Sequence, residues 1–264
     1  MSDILTERTG EGGNLLRIQL NRPEKKNAMT SDMYVTLAEI LNSAAKDEQI
    51  RVVLWHGAGD SFCAGNDVVD FLKNPPVSGE MPQARLMKAF VNLDKPIVAA
   101  VHGSAIGGGT TMLTHCDFVY AGESAKFQMP FINLGLVPEF GSSCSLPARL
   151  GHLRASELLL LGLPFGAARA AELGLVTQVV PDAKLLATAT QTAQHLAAKP
   201  TRALQTSKNL LKRSTREQME QAMRVENDAY AVLLRSPDAK EALTAFLEKR
   251  KPDFTKSREP ATTN

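Results

Sequence analysis

Two glycine turns are the segments of this chain whose residue types could do chemistry. Residues 103–109 read Gly-Ser-Ala-Ile-Gly-Gly-Gly after the apolar run Ile97–Val101, and residues 61–67 read Ser-Phe-Cys-Ala-Gly-Asn-Asp after the apolar run Val52–Trp55. The later turn is predicted to lead from a buried strand into a helix, whose start presents unpaired N–H groups. Glycine allows a bulky group to approach such amides closely. Two such turns can hold one oxygen between two N–H groups, the arrangement that stabilises an enolate or an oxyanion.

The elements that must hold these turns can be placed from the spacing of apolar residues. A hairpin is predicted over residues 4–20, and Thr30 or Ser31 is predicted to cap a helix that ends near Ala45. Strand, turn and helix then recur at intervals of roughly 45 residues, and the continuously apolar strands predict a parallel sheet covered on both faces. Proline and glycine at 74–82, within the wider region 70–90, predict a mobile flap. The remaining predicted helices lie at residues 83–92, 107–115, 155–161, 167–173, 182–198, 201–212, 215–235 and 237–250, with strands at 117–121 and 176–180.

Composition excludes several classes of function. The chain has 264 residues, 44% of them hydrophobic and 22% charged, with a formal net charge of +2, so no global field demands a nucleic acid or a membrane. We expect no membrane span, and the sequence shows neither a secretory signal nor a peroxisomal address, which favours a cytoplasmic protein. Its cysteines, Cys63, Cys116 and Cys144, lack the spacing of a metal site and are expected to be reduced thiols.

Several motifs occur in a specific order and spacing along the chain. They are Leu20-Asn-Arg-Pro-Glu-Lys-Lys-Asn-Ala-Met29, Asp60-Ser-Phe-Cys-Ala-Gly-Asn-Asp67, Lys95-Pro-Ile-Val-Ala-Ala-Val-His-Gly103, Ala105-Ile-Gly-Gly-Gly109, Cys116-Asp-Phe-Val-Tyr-Ala121, Gly135-Leu-Val-Pro-Glu139 and Phe246-Leu-Glu-Lys-Arg250. Together they resemble the crotonase superfamily, also called the enoyl-CoA hydratase/isomerase family. The resemblance covers about residues 4–254.

The resemblance implies an α/β fold in which strand–strand–helix turns form a spiral, with a C-terminal helical trimerisation region. We therefore expect a core over residues 1–198, a helical oligomerisation region over 199–254 and a disordered polar tail over 255–264. Acyl-CoA thioesters are the implied ligands, and a homotrimer or a dimer of trimers is the implied assembly. No separate cofactor is implied, because the substrate itself carries coenzyme A.

The resemblance also assigns residues to the site. Its oxyanion donors would be the peptide N–H groups of Asn66 and Gly108. The residues implied to border the nucleotide part of coenzyme A are Glu24, Lys25, Ala28 and Ala64. Those implied to reach the coenzyme A of a neighbouring subunit are Phe246 and Lys249.

Carboxylates decide which reaction the resemblance favours. The family's hydratases orient water with two glutamates, whose positions here hold Thr111 and Phe131. Neither side chain can act as a base near neutral pH, and we expect both to lie at the acyl pocket instead. Glu139 matches the single catalytic glutamate of the family's β,γ-to-α,β enoyl-CoA isomerases, and its apolar neighbours predict a raised pKa.

The favoured function is therefore the isomerisation of 3-enoyl-CoA to 2-enoyl-CoA, with Glu139 moving one proton. A hydratase-like lyase in which Glu139 acts with a water stays open, as does an acyl-CoA-binding protein without turnover. Glu139 could also simply cap a turn after Pro138. A basic stretch is expected to be a solvated face rather than a nucleic-acid site, because no aromatic residues are interleaved for base stacking. Its members are Arg202, Lys208, Lys212, Arg213 and Arg216.

Overall fold

The computed structural model describes residues 2–73 and 81–255, and these form a mixed α/β fold. The strands are β1 Ile4–Thr9, β2 Leu15–Leu20, β3 Val52–Gly57, β4 Ile97–Val101, β5 Ser104–Ile106, β6 Phe118–Gly122, β7 Lys126–Gln128, β8 Phe165–Gly166 and β9 Gln178–Val180. The helices are α1 Ser31–Lys46, α2 Val68–Lys73, α3 Pro82–Asn92, α4 Gly108–Thr111, α5 Ser142–Leu150, α6 His152–Leu161, α7 Ala167–Glu172, α8 Leu185–Ala197, α9 Thr201–Arg213, α10 Arg216–Leu233 and α11 Pro237–Leu247. Of the flap predicted over 74–82, residues 74–80 lie outside the described residues, as do residues 256–264 of the predicted disordered tail.

The larger sheet has the strand order β1-β2-β3-β4-β6-β9. Only the β1–β2 hairpin is antiparallel among these pairings, and the other neighbours are parallel. Its two faces bury different side chains of the same strand: Val53 and Trp55 belong to the cluster under α1 and α3, whereas Leu54 packs on the side of α8. The prediction of a parallel sheet covered on both faces is confirmed.

A second, three-stranded sheet has the order β5-β7-β8 and was not predicted. Its strands have only two or three residues, too few to show a period in the sequence. The chain passes from β4 to β5 at Gly103, where φ is +53° and a Cβ would collide with the carbonyl oxygen of Asp60. Glycine is therefore required where the two sheets separate, and the strand–strand–helix unit β4-β5-α4 follows from it.

The predicted helices are largely confirmed, with three differences, of which the first is that α2 was not predicted. Thr30 caps α1, because its Oγ1 accepts a hydrogen bond from the N–H of Met33 at 3.3 Å. The helix predicted over 107–115 is a single turn, α4, which continues as a 3₁₀ helix over Met112–His115. Helix α5 was not predicted, since its serines and an internal proline, Pro147, are poor helix formers.

The basic stretch on α9 is only partly the solvated face that was expected. Arg202 and Arg213 are exposed, but Lys208 is only 4% exposed and its Nζ lies 2.7 Å from Asp117 Oδ2. The Nζ of Lys212 donates to carbonyl oxygens at the end of α3, which completes the hydrogen bonding of that helix terminus. These acceptors belong to Phe90, Val91 and Leu93. The expectation is therefore wrong for these two lysines, which fasten α9 to the core.

Within the described ranges, no helix has the length and apolar character needed to cross a membrane.

Candidate functional site

The two glycine turns meet at one cavity of about 390 Å³. A parallel bridge between Cys63 and Ala105 joins them. The N–H of Ile106 donates to Cys63 O at 2.9 Å, which aligns the ends of both turns. Gly65 has φ +89°, and a Cβ there would stand 2.9 Å from Ile106 O. The close approach of the two backbones therefore depends on glycine in the first turn.

Two peptide N–H groups remain available at this junction. Met29 bonds to the peptide groups on both sides of Asn66, and Gly107 N–H donates to Gln128 O at 2.8 Å. By contrast, no backbone oxygen of the described chain accepts from the N–H of Asn66 or of Gly108. Both residues line the cavity. Their amides are thus free to hold one oxygen of a ligand.

Glu139 stands directly against the second glycine turn. It is only 3% exposed, and its Oε1 has no hydrogen-bond partner among the described residues. An ideal Cβ built on Gly108 would lie 2.8 Å from that Oε1, so the carboxyl group fills the space that a side chain would occupy. The geometry therefore places an unsatisfied carboxyl oxygen beside one of the two available amides.

The pKa of Glu139 is raised to about 8, first by burial and second by the charge of Glu226 on α10. Burial was expected from the apolar neighbours of Glu139, but Glu226 was not considered. A signal for it exists, since Met223, Glu226 and Tyr230 are the buried residues of α10 and share one face at helical spacing. A glutamate on an otherwise apolar helix face needs a partner in the protein interior.

Two buried tyrosines fix the side chain of Asn66, and neither was singled out from the sequence. The hydroxyl of Tyr34 on α1 donates to Asn66 Oδ1 at 2.7 Å. Tyr230 on α10 is also hydrogen-bonded to the Asn66 side chain and lines the cavity. Burial raises the pKa of both phenols, so they remain neutral. The amide side chain beside one of the two available N–H groups is thus held from two helices.

The other residues assigned by resemblance divide into two groups. Three of them line the cavity together with the residues above: Ala64, Phe131 and Phe246. Phe246 does so within its own chain, and its predicted contact with a neighbouring subunit's ligand stays a prediction. Thr111 was expected at the acyl pocket but is fully buried in α4, where its Oγ1 donates to Gly107 O at 3.3 Å. Thr111 is not part of the cavity lining, because its hydroxyl is directed to a backbone oxygen at the start of α4.

The loop residues lie beside the cavity rather than in its wall. A 3₁₀ turn over Pro23–Lys25 begins this loop, and the N–H of Ala64 donates to Lys26 O at 2.9 Å, which fastens the loop to the first glycine turn. Lys249 follows α11 with φ +56° and is exposed. The predicted residues that do not line the cavity are thus Glu24, Lys25, Ala28, Thr111 and Lys249. For Glu24, Lys25, Ala28 and Lys249, the contact with coenzyme A stays a prediction.

Among the described residues, Glu139 is the only acidic side chain in the cavity wall. Phe131 is 3% exposed and adds an aromatic side chain to the wall. No group of three or more metal-ligating side chains occurs in the described part of the chain. The chemistry of the site therefore centres on one carboxyl group and two amides.

Comparisons with known proteins place this site in a family. The family model described as enoyl-CoA hydratase/isomerase matches residues 10–257. The chain is 38% identical over 250 residues to 1,2-epoxyphenylacetyl-CoA isomerase of Escherichia coli (strain K12), covering 91% of this chain and 95% of that one. It is 32% identical over 243 residues to crotonyl-CoA hydratase of Syntrophomonas wolfei, covering 90% and 93%. The crystal structure of an enoyl-CoA hydratase/isomerase from Pseudoalteromonas atlantica superposes with a TM-score of 0.90 at 40% identity, covering 96% of this chain and all of that one. The chain therefore belongs to the enoyl-CoA hydratase/isomerase family, the crotonase superfamily, and has its fold.

Proposed function

We propose that this family member isomerises 3-enoyl-CoA thioesters to 2-enoyl-CoA thioesters with Glu139 as the proton shuttle. The observation that carries the proposal is the one carboxyl group in the described cavity wall, that of Glu139, whose Oε1 is unpaired and stands against Gly108. Isomerisation needs one group that both accepts and donates a proton. The pKa of Glu139, raised to about 8, suits that role near neutral pH.

The proposed reaction has two steps. The Glu139 carboxylate removes a proton from C2, and the electron pair of that C–H bond delocalises over the dienolate. The thioester oxygen takes up the negative charge and accepts hydrogen bonds from the N–H groups of Asn66 and Gly108. The protonated Glu139 then delivers the same proton to C4, the double bond comes to rest between C2 and C3, and the thioester carbonyl re-forms. Loss of one oxyanion donor in such a site costs about 3 kcal/mol of transition-state stabilisation.

The cavity wall favours isomerisation over hydration. Hydration requires a water molecule that is oriented and deprotonated, which the family's hydratases achieve with two carboxylates. Here the corresponding positions hold a buried threonine, Thr111, and an apolar ring, Phe131. Isomerisation consumes no water, so this wall is compatible with it.

A second candidate is isomerisation of 1,2-epoxyphenylacetyl-CoA, the compound after which the Escherichia coli relative is named. The observation in its favour is the identity of 38% across 95% of that protein. Both reactions use a coenzyme A thioester, whose carbonyl oxygen the same two amides would hold.

We further propose that copies of the chain associate, as the resemblance implies. Exposed leucine and valine side chains on two helices support this, because they offer apolar surface that a second copy could cover. They include Leu153 at 83%, Leu160 at 65%, Val225 at 62% and Val232 at 72% exposure on α6 and α10. Light scattering of the purified protein is expected to give a multiple of the chain mass, and a monomer would refute the association.

The proposed reaction is tested with three thioesters: a 3-enoyl-CoA, a 2-enoyl-CoA and 1,2-epoxyphenylacetyl-CoA. We expect rapid conjugation of the first, seen as the absorbance of the 2-enoyl thioester, and no hydration of the second. Glu139→Gln should lose on the order of a thousandfold in kcat, since it keeps the shape and removes the proton shuttle. Glu220→Gln, an exposed position on α10, is the matched control and should retain full activity.

Each alternative has its own outcome. Hydration of the 2-enoyl-CoA by the wild type would identify a hydratase and refute the proposal. Turnover of the epoxide alone would support the second candidate. Tight binding of all three without turnover would identify an acyl-CoA-binding protein.

A further inference from the structure

We infer that Glu226 is a positioning residue, which holds the bend that presents Glu139 and keeps a negative charge behind it. The inference rests on the proposed function insofar as Glu139 is taken as the proton shuttle. Glu226 lies on α10, in the C-terminal helical region, and is 5% exposed. It is not part of the cavity wall, so it acts through Glu139 and not on the ligand.

The bend at residues 139–141 has an unfavourable backbone conformation. Phe140 has φ +59° and Gly141 has φ +67°. The left-handed region is accessible to glycine but costs a bulky residue such as phenylalanine about 1 kcal/mol or more. Surrounding contacts must therefore impose the bend, and the direction of the Glu139 side chain depends on them.

Glu226 supplies the two central contacts of the bend. Its Oε2 accepts from the N–H of Gly141 at 2.7 Å, and its Oε1 accepts from the N–H of Ser143 at 2.8 Å. One side chain thus holds both donors that flank the start of α5. Because both oxygens accept, the contact favours the carboxylate over the protonated acid, whose hydroxyl oxygen is the weaker acceptor. These two hydrogen bonds counteract the burial that raises the pKa of Glu226.

Two further hydrogen bonds complete the bend. The hydroxyl of Ser142 donates to Glu139 O at 2.7 Å. The Nε2 of His115 lies 2.7 Å from Phe140 O, and because a carbonyl only accepts, this nitrogen carries the proton. Burial lowers the pKa of His115 to about 4, so the ring is neutral. The backbone around Glu139 is consequently fixed from α10 and from the 3₁₀ helix that contains His115.

The titratable side chains that interact electrostatically with Glu139 come from three parts of the fold. They are Tyr34 on α1, Cys63 in the first glycine turn, and Tyr230 and Glu226 on α10. Burial raises the pKa of both phenols and that of the Cys63 thiol, the latter to about 12, so these three are neutral. Glu226 therefore supplies the charge that disfavours ionisation of Glu139. An uncharged capping residue such as serine could accept a hydrogen bond from an N–H group at the start of α5, but it would not bring a negative charge near Glu139.

Two substitutions separate the charge of Glu226 from its hold on the bend. Glu226→Gln removes the charge and keeps one acceptor oxygen. Glu226→Asp keeps the charge but is too short to reach both N–H groups. Glu220→Gln on the exposed face of the same helix is the matched control.

In the isomerase assay, kcat/KM of the wild type should rise with pH as Glu139 ionises. Glu226→Gln is expected to move this acid limb to lower pH by about one unit. Glu226→Asp should leave the limb in place and lower kcat about tenfold with KM within about threefold, because the carboxyl group is misplaced but the binding surface is intact. A purely structural role would lower activity without moving the limb.

A second readout does not depend on turnover. The C=O stretch of the protonated Glu139 carboxyl, assigned by its loss in Glu139→Gln, can be followed by infrared spectroscopy against pH. Its midpoint should fall by about one unit in Glu226→Gln and not in the control. If this midpoint moves while no thioester is isomerised, the positioning role stands and the proposed reaction fails. If Glu226→Gln shows the same infrared midpoint and the same acid limb of kcat/KM as the wild type, the inference is overturned. Should Glu226→Gln fail to fold, an unchanged kcat in Glu226→Asp would overturn it equally.

Discussion

Replacing Glu139 by glutamine is expected to stabilise the folded protein, and more strongly at high pH than at low pH. The pKa of this carboxyl group is about 8 in the folded state against an ordinary value of 4.5. Between these values the folded chain holds a proton that the unfolded chain has released. The stability that comes from Glu139 is therefore fully present below the ordinary value and is lost as the pH rises through about 8.

The size of the effect follows from the two pKa values. Between about pH 5 and about pH 9, the cost of ionising Glu139 inside the fold grows by about 4 kcal/mol. Glutamine has nearly the same shape and does not ionise, so it avoids this cost. The free energy of unfolding of Glu139→Gln, relative to the wild type, should thus rise by several kcal/mol across that interval. Where function requires a buried ionisable group, replacing that group by a neutral one is expected to stabilise the fold at the expense of activity.

Urea unfolding followed by circular dichroism measures this directly. Wild type, Glu139→Gln and the exposed control Glu220→Gln are compared at about pH 5 and about pH 9, at one protein concentration because association would shift the midpoint. The control removes a solvated carboxylate, and its difference from the wild type should be the same at both pH values. If the free energies of unfolding of Glu139→Gln and the wild type differ by the same amount at both pH values, the pKa of Glu139 is not raised in the folded protein. The electrostatic reasoning would then be wrong.

Three further substitutions test separate parts of the structure. Gly108→Ala would place a Cβ 2.8 Å from Glu139 Oε1. We expect kcat for isomerisation of the thioester to fall about 100-fold while the circular dichroism spectrum is unchanged. Full activity would refute the close approach of Glu139 to Gly108. Lys208→Met removes the buried ammonium that donates to Asp117 Oδ2 and Lys95 O. Because Asp117 itself is exposed, the free energy of unfolding in urea should fall by about 2 kcal/mol, the contribution of hydrogen bonds to a charged group, and an unchanged value would show that these bonds do not stabilise the fold. Thr30→Ala removes the cap of α1 and should cost about 1 kcal/mol in the same assay, with Thr30→Ser expected to restore it.

Much of the larger sheet could be predicted from the sequence, because its central strands β3, β4 and β6 are apolar runs whose burial on both faces leaves a continuous signal. The smaller sheet could not, since β5, β7 and β8 depend on pairing with each other and not on their own composition. Helix α5 was missed for a related reason. Its start is stabilised by Glu226, which is distant in sequence, while its own residues favour other conformations.

The site shows the same division. Asn66, Gly108 and Glu139 belong to contiguous motifs, and the structure brings all three to one cavity. Tyr230 and Glu226 come from a helix whose sequence carries no motif, and their role becomes visible only when α10 packs over the cavity. Lys208 and Lys212 of α9 were assigned to a solvated face because charge alone does not reveal which backbone carbonyls, such as those at the end of α3, lie within reach of an ammonium group.

The most direct test of the central claim is a crystal structure of the protein with an unreactive acyl-CoA, such as the saturated analogue of the substrate. In this complex we expect the thioester oxygen to accept hydrogen bonds from the N–H groups of both Asn66 and Gly108. We also expect a carboxyl oxygen of Glu139 within about 3.5 Å of both C2 and C4 of the acyl chain. A complex in which this carboxyl group lies beyond reach of either carbon, or in which the thioester oxygen binds elsewhere, would contradict the single-carboxylate mechanism.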